Sequence, residues 1–238
     1  MVHRLHFPKL SKFDRVAEPV TFAVPFPAGE LLVDQSAAVS LGVDAFPTQS
    51  RPTALWPDGS VKWLLVDALV DLPGNDVADY ELTPGAHSPA SDVKASAEIA
   101  EDRPRIETGP LRLSLSAPGE SGLLHEIALD GATIASGGEL IGPQITIGGE
   151  TFEAEVGADG WQVAEAGPVR VVLECEGIHR AQDGGEAVDF IARVTAWAGK
   201  PWFELRYRVI NREAAESTVI EAMRWAACPE VEAEAAGS

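Results

Sequence analysis

Residues 53–72 read Thr53-Ala54-Leu55-Trp56-Pro57-Asp58-Gly59-Ser60-Val61-Lys62-Trp63-Leu64-Leu65-Val66-Asp67-Ala68-Leu69-Val70-Asp71-Leu72. Pro57-Asp58-Gly59-Ser60 divides the stretch. Proline fixes φ at the first turn position and glycine tolerates positive φ, so these residues predict a tight reversal. Val61 to Leu72 is then a nearly continuous apolar run, broken by Asp67 and Asp71 at a spacing that also suits a helix. The turn before it and Pro73-Gly74 after it favour a strand.

The same alternation with turn punctuation runs outward in both directions. Val20 to Val24 predicts a short strand closed by Pro25-Phe26-Pro27, with a turn at Ala28-Gly29. Leu41-Gly42-Val43 is another short apolar piece, and Tyr80 to Thr83 another strand. Pro84 to Glu98 is rich in Ala, Ser, Pro and Gly and reads as a linker. Periodicity resumes at Leu111-Arg112-Leu113-Ser114-Leu115, so a domain boundary is expected near residues 102–107. Three hairpins follow, through Asp130-Gly131, Gly148-Gly149-Glu150 and Gln182-Asp183-Gly184-Gly185. Phe203, Leu205, Tyr207 and Val209 share one face of a further strand; Glu204, Arg206 and Arg208 share the other. Residues 214–227 have helical composition, but Ser217-Thr218-Val219-Ile220 favours a strand. Residues 229–238 are small and acidic and read as a tail. Hairpins with polar outer faces predict an all-β chain with an antiparallel sandwich.

Composition bounds the partners. The 238 residues carry 37 acidic and 18 basic side chains, a net charge of −19. Counterion release from nucleic acid or an anionic membrane needs clustered cations, so neither is an expected partner. A hydrophobic share of 45% argues against wholesale disorder. No apolar run reaches the roughly 20 residues of a membrane span. Residues 1–15 begin basic but lack the apolar core of a signal peptide, which leaves the compartment open.

Few residues suggest chemistry. His3, His6, His87, His125 and His179 form no HxH or HExxH pair, and no CxxC is present, so no metal or other cofactor is expected. His3 and His6 read as exposed residues near the terminus. Cys175 lies in an apolar alternation and reads as a small buried hydrophobe; whether it pairs with Cys228 stays open. Residues 182–186 lack the ligand pattern of a calcium loop and read as a plain turn. No GxSxG, P-loop or GxGxxG is present, and no catalytic residue is assigned. Among six tryptophans, Trp56 and Trp63 flank the tight turn and are expected to pack on one another or on the core. Trp197 and Trp202 flank Gly199-Lys200-Pro201, which can leave one ring exposed for a ligand. Arg206 and Arg208 lie nearby, and guanidinium groups suit planar carboxylates. Trp197, Trp202, Arg206 and Arg208 are therefore the candidate ligand-binding residues.

Val20 to Leu31, then Pro47-Thr48-Gln49 and Leu55-Trp56-Pro57-Asp58-Gly59-Ser60-Val61-Lys62-Trp63-Leu64-Leu65-Val66, resemble the N-terminal RIFT-barrel domain of the rhamnogalacturonan exo-lyase-like proteins. The resemblance is strong over residues 16–83. Looser matches at Glu165-Ala166-Gly167-Pro168-Val169-Arg170, Glu176-Gly177-Ile178-His179, Ala192-Arg193-Val194, Lys200-Pro201-Trp202-Phe203 and Val209-Ile210-Asn211 resemble the β-sandwich that follows it. The resemblance implies a RIFT-type barrel with an N-terminal arm over residues 1–100, a sandwich over 101–228 and the tail beyond. It also implies polysaccharide processing by β-elimination, whose machinery is expected in a further α/α-toroid domain that these 238 residues do not reach. The expected role is thus a non-catalytic carbohydrate-associated module, inactive alone, with an acidic polysaccharide or oligosaccharide as partner and an extracellular or virion setting. The alternative is a structural or assembly subunit on the same scaffold, forming an oligomer. A small enzyme with a triad joined only in space is a third possibility.

Overall fold

The computed structural model describes residues 2–9, 11–89, 91–100, 103–137, 140–212 and 217–227. Every regular element among them is a β-strand and the pairings are antiparallel, so the all-β expectation holds. The chain divides into two compact units: Met1–Asp92 with Gly167–Arg170, and Val93–Ala166 with Val171–Ser238.

The first unit holds β1 (His3–Phe7), β2 (Arg15–Pro25), β3 (Ala37–Leu41), β4 (Asp44–Phe46), β5 (Thr48–Leu55), β6 (Val61–Leu72) and β7 (Ala78–Pro84). One sheet has the order β1-β7-β3-β4 and the other β2-β6-β5. Alternation explains the core. Leu64, Val66, Ala68, Val70 and Leu72 of β6 are buried with Val39, Tyr80 and Leu82 of the other sheet. Phe7 and Phe46 meet the Tyr80 ring edge-on at 5.7 and 5.3 Å.

The opening motif folds as a hydrogen-bonded reversal. Trp56 N–H donates to Ser60 O at 2.8 Å, and Gly59 N–H donates to Trp56 O at 2.9 Å. Gly59 sits at φ +84°, where a β-carbon would be strained. Asp58 accepts from the Ser60 amide and hydroxyl at 3.0 and 2.6 Å, which holds its carboxyl below the usual range. The Ser60 hydroxyl in turn accepts from Gly29 N–H at 2.8 Å, and Trp56 Nε1 donates to Phe26 O at 2.8 Å. The two segments quoted for the family resemblance therefore touch each other.

Several expectations change here. Trp56 packs under the Lys62 ammonium, 4.6 Å from the ring centroid, while Trp63 is half-exposed. Gly42-Val43 is a turn between β3 and β4, with Val43 almost fully exposed. The N-terminal arm is a true strand. His3 packs edge-on to Phe26 at 4.6 Å, and His6 Nδ1 lies 2.7 Å from Asp79.

Asp67 explains why β6 carries a charge in its apolar run. It is buried on the face opposite the core, accepts from Thr21 Oγ1 at 2.5 Å and pairs with Arg170 at 3.0 Å. Gln49 Oε1 accepts from the amides of Val169 and Arg170 at 3.1 and 3.0 Å. The Gly167–Arg170 segment is thus fixed against β5 and β6.

The second unit holds β8 (Ser96–Ile99), β9 (Pro104–Glu107), β10 (Leu111–Leu115), β11 (Leu124–Leu129) and β12 (Ala132–Ser136), ordered β12-β11-β10-β9-β8. Its larger sheet holds β13 (Leu140–Ile147), β14 (Glu150–Val156), β15 (Gln162–Glu165), β16 (Arg170–Ala181), β17 (Glu186–Trp197), β18 (Phe203–Ile210) and β19 (Ala222–Ala227). The order is β18-β17-β16-β14-β13-β19, with β15 beside β16. The three expected hairpins form. Asp130 and Gly131 both take positive φ, as a two-residue turn of this hand requires. Ile106, Leu113, Leu115, Leu173, Phe190, Ala192 and Val194 are fully buried. Trp161 joins them and donates through Nε1 to Ser116 O at 3.1 Å. The last strand is Ala222–Ala227 rather than 217–220; its backbone pairs with β13. Cys228 and the acidic tail lie outside the described residues.

Asp67→Ala removes the buried carboxylate that pairs with Arg170. The expected loss is about 3 kcal/mol in the urea unfolding of the first unit, against about 1 kcal/mol or less for a solvated pair.

Candidate functional site

The β17–β18 pair places the four candidate residues together. Even-numbered side chains of β17 point inward, where Val188, Phe190, Ala192 and Val194 are buried. Trp197 and Arg193 therefore point outward. The register sets Arg193 opposite Arg206, Thr195 opposite Glu204 and Ile191 opposite Arg208. Arg206 and Arg208 share this outer face, two residues apart, or about 7 Å along the strand. At its end Trp202 covers Trp197, with ring centroids 4.8 Å apart. Trp197 is buried by this contact and Trp202 stays 44% exposed, so one ring remains available.

The face is charged but balanced. Arg193 donates to Glu174 at 2.6 and 2.9 Å. Arg206 pairs with Glu204. Arg212 reaches Asp189 and, at 3.6 Å, Glu176. Arg208 is exposed and forms no ion pair among the described residues. In a chain of net charge −19, a face with as many arginines as carboxylates is locally less hostile to an anion than the chain's overall charge implies.

Beneath this face lies a buried polar pair. His179 is fully buried. Its Nδ1–H donates to Val188 O at 2.7 Å, so Nε2 is the acceptor for the Tyr207 hydroxyl at 2.8 Å. Phe190 stacks on Tyr207 at 5.0 Å and meets His179 edge-on at 5.5 Å. Burial lowers the His179 pKa below 6.5 and raises that of Tyr207. The Cys175 thiol is buried nearby on β16 and is pushed up to about 12 by the loss of solvent. Neutral, satisfied groups of this kind hold strands together and are not poised for catalysis. The residues 182–186 form a plain turn: Asp183 accepts from Gly185 N–H at 2.9 Å, and Glu186 pairs with Arg180 at 2.8 Å. Among the described residues no three His, Cys, Asp or Glu side chains gather as a metal site.

A second feature had no sequence signal. A cleft of about 600 Å³ in the second unit is lined by Arg103, Glu120, Ser121, His125, Gln144 and Glu153, with several glycines. These residues come from four separate stretches and follow no motif. Arg103 grips Glu120 through both Nη atoms at 2.5 and 2.6 Å, which holds the Glu120 carboxyl below its usual range.

The strands and their order now meet the comparisons with known proteins. Residues 4–70 match the PcRGLX-like N-terminal RIFT barrel domain, and residues 95–226 match the PcRGLX-like protein central beta sandwich domain. The chain belongs to this PcRGLX-like family, with the N-terminal architecture of the rhamnogalacturonan lyase-like proteins. The chain is also similar to the uncharacterized protein YetA of Bacillus subtilis (strain 168), at 27% identity over 199 residues. That match covers 80% of this chain and 23% of the relative, so the chain spans less than a quarter of that relative's length.

The His179 pair sets a pH dependence. The folded state keeps His179 neutral, while the unfolded chain binds a proton below about pH 6.5. Its contribution is thus complete above that value and declines below it. The urea midpoint of the second unit should fall between about pH 7.5 and about pH 5.5, and less steeply in His179→Gln.

Proposed function

We propose that these 238 residues form a non-catalytic, carbohydrate-associated module at the front of a polysaccharide-lyase-like protein. The outer face of β17 and β18 holds an acidic sugar. One observation carries the reading: an exposed Trp202 ring and the uncommitted Arg208 share a charge-balanced face on a strongly acidic chain. Trp202 and Arg208 lie about 20 Å apart along the strand, so one ring of an oligosaccharide stacks on the indole while the carboxylate of a later unit meets a guanidinium.

The same face is poorly equipped for β-elimination. That reaction removes a proton beside the uronate carboxylate and needs a free base. Here Glu174, Glu176, Asp189 and Glu204 are each engaged by an arginine. Each of these four carboxylates already faces a guanidinium, so none of them is placed as a free base beside a bound sugar. The module therefore binds and presents, and chemistry belongs elsewhere in a longer protein.

Tryptophan fluorescence titration with oligogalacturonates tests this. Quenching is expected in the parent chain and should vanish in Trp202→Ala. Arg208→Ala should weaken binding about tenfold, and Arg206→Ala less, because Glu204 already offsets that charge. Incubation with pectic substrates should yield no ultraviolet absorbance from unsaturated products. Absence of quenching across acidic glycans, together with a stable symmetric assembly by mass photometry, would favour an assembly subunit instead.

A further inference from the structure

We infer that the cleft lined by Arg103, Glu120, Ser121, His125, Gln144 and Glu153 is a second binding site, one for an uncharged, hydroxyl-rich ligand such as a neutral sugar. It lies within the second unit, shares no residue with the β17–β18 face, and stands independently of the reading given above.

The shape comes from the backbone. The loop between β10 and β11 is laid along β14: Gly119 N–H donates to Val156 O at 2.8 Å, Gly122 N–H donates to Ala154 O at 2.7 Å, and Val156 N–H donates to Glu120 O at 3.1 Å. Gly142 of β13 approaches this loop so closely that a β-carbon there would lie 2.4 Å from Gly122 Cα. No side chain can project from that point. Gly122, Gly137 and Gly142 contribute only backbone to the lining, and the space of about 600 Å³ falls in the range of ligand pockets. The cleft continues, through shared Ser121 and Glu153, into a depression of about 560 Å³ beside Glu155, Arg180 and Gln182. Such continuity suits an extended ligand of linked units.

The chemistry selects against charge. Arg103 is committed to both oxygens of Glu120, and Glu120 also accepts from Ala117 N–H at 2.9 Å. Arg180 is likewise committed to Glu155 at 3.2 Å and Glu186 at 2.8 Å. An anionic ligand would meet Glu153, and among the described residues the lining offers no uncommitted guanidinium. A hard divalent cation such as calcium needs six or more oxygens, yet Glu120 already accepts three hydrogen bonds, Glu153 accepts from Gln144 Nε2 at 2.9 Å, and among the described residues no three His, Cys, Asp or Glu side chains gather. Among the described residues Leu124 and Pro143 supply the only apolar side chains of the lining, too little for a lipid or an aromatic ligand. What remains on offer is a mixture of donors and acceptors at fixed positions. Hydroxyl groups, which do both, match that mixture.

The test is titration of the isotope-labelled full chain, followed by amide nuclear magnetic resonance. The neutral probes are galactotriose and cellotriose, with trigalacturonate as the anionic control. At least one neutral probe should shift the amides of Ser121, Gly122, Gly142 and Gln144, and trigalacturonate should not. Gln144→Ala should weaken that response about tenfold. Ser121→Phe, which fills an exposed corner of the cleft, should abolish it with an unchanged thermal midpoint. Trp202→Ala should leave it intact, which separates this site from the β17–β18 face. No shift at these amides with either neutral probe, or an equal shift with trigalacturonate, overturns the proposal.

Discussion

The ring of Phe190 rests on the bare backbone of Gly177, and the arrangement of the larger sheet follows from that contact. A β-carbon at Gly177 would lie 2.3 Å from the Phe190 ring and 2.2 Å from Glu155 O. The glycine therefore fixes how closely β16 approaches both neighbours. Phe190 stacks on Tyr207 of β18, and His179 of β16 bridges Val188 O of β17 and the Tyr207 hydroxyl. Three strands are thereby tied at one point. Slipping any of them by one residue would turn its apolar face outward and expose a polar pair that is satisfied only in this register.

The proposed binding face is the other side of the same constraint. Because Phe190, Ala192 and Val194 point inward, Arg193 and Trp197 point outward. Because Tyr207 reaches His179, Arg206 and Arg208 are left on the surface. The first unit repeats the principle differently. Its central strand β6 is buried on both faces near Asp67, and the charge is tolerated because Thr21 and Arg170 supply hydrogen bonds.

Much of this was legible in the residues. The Pro57-Asp58-Gly59-Ser60 reversal, the hairpins and the alternation in residues 203–209 are local signals, and local chemistry decides them. The outward grouping of Glu204, Arg206 and Arg208 followed from period-two arithmetic, and the exposure of one ring of Trp197 and Trp202 from the turn between them. What escaped was set by distant partners. The strand at His3–Phe7 gains its backbone hydrogen bonds from β7, over seventy residues away in sequence. Residues 222–227 become a strand because β13 offers an edge, whereas their own composition leans toward helix. Gly42-Val43 looked apolar, yet glycine at positive φ made it a turn. The cleft was the least legible of all. Its lining comes from scattered stretches, and no spacing rule links Arg103 to Gln144.

For the proposed binding of an acidic glycan, the balanced charge of the β17–β18 face would also govern how association responds to ionic strength. Cationic glycan-binding surfaces lose affinity as salt rises, because their attraction is screened. Here the local field is near neutral while the chain as a whole repels anions. At physiological salt the screening length is about 8 Å. Added salt therefore hides the distant carboxylates more than it weakens a contact made at Arg208. An acidic glycan should accordingly arrive faster at moderate salt than at low salt, the reverse of electrostatic steering.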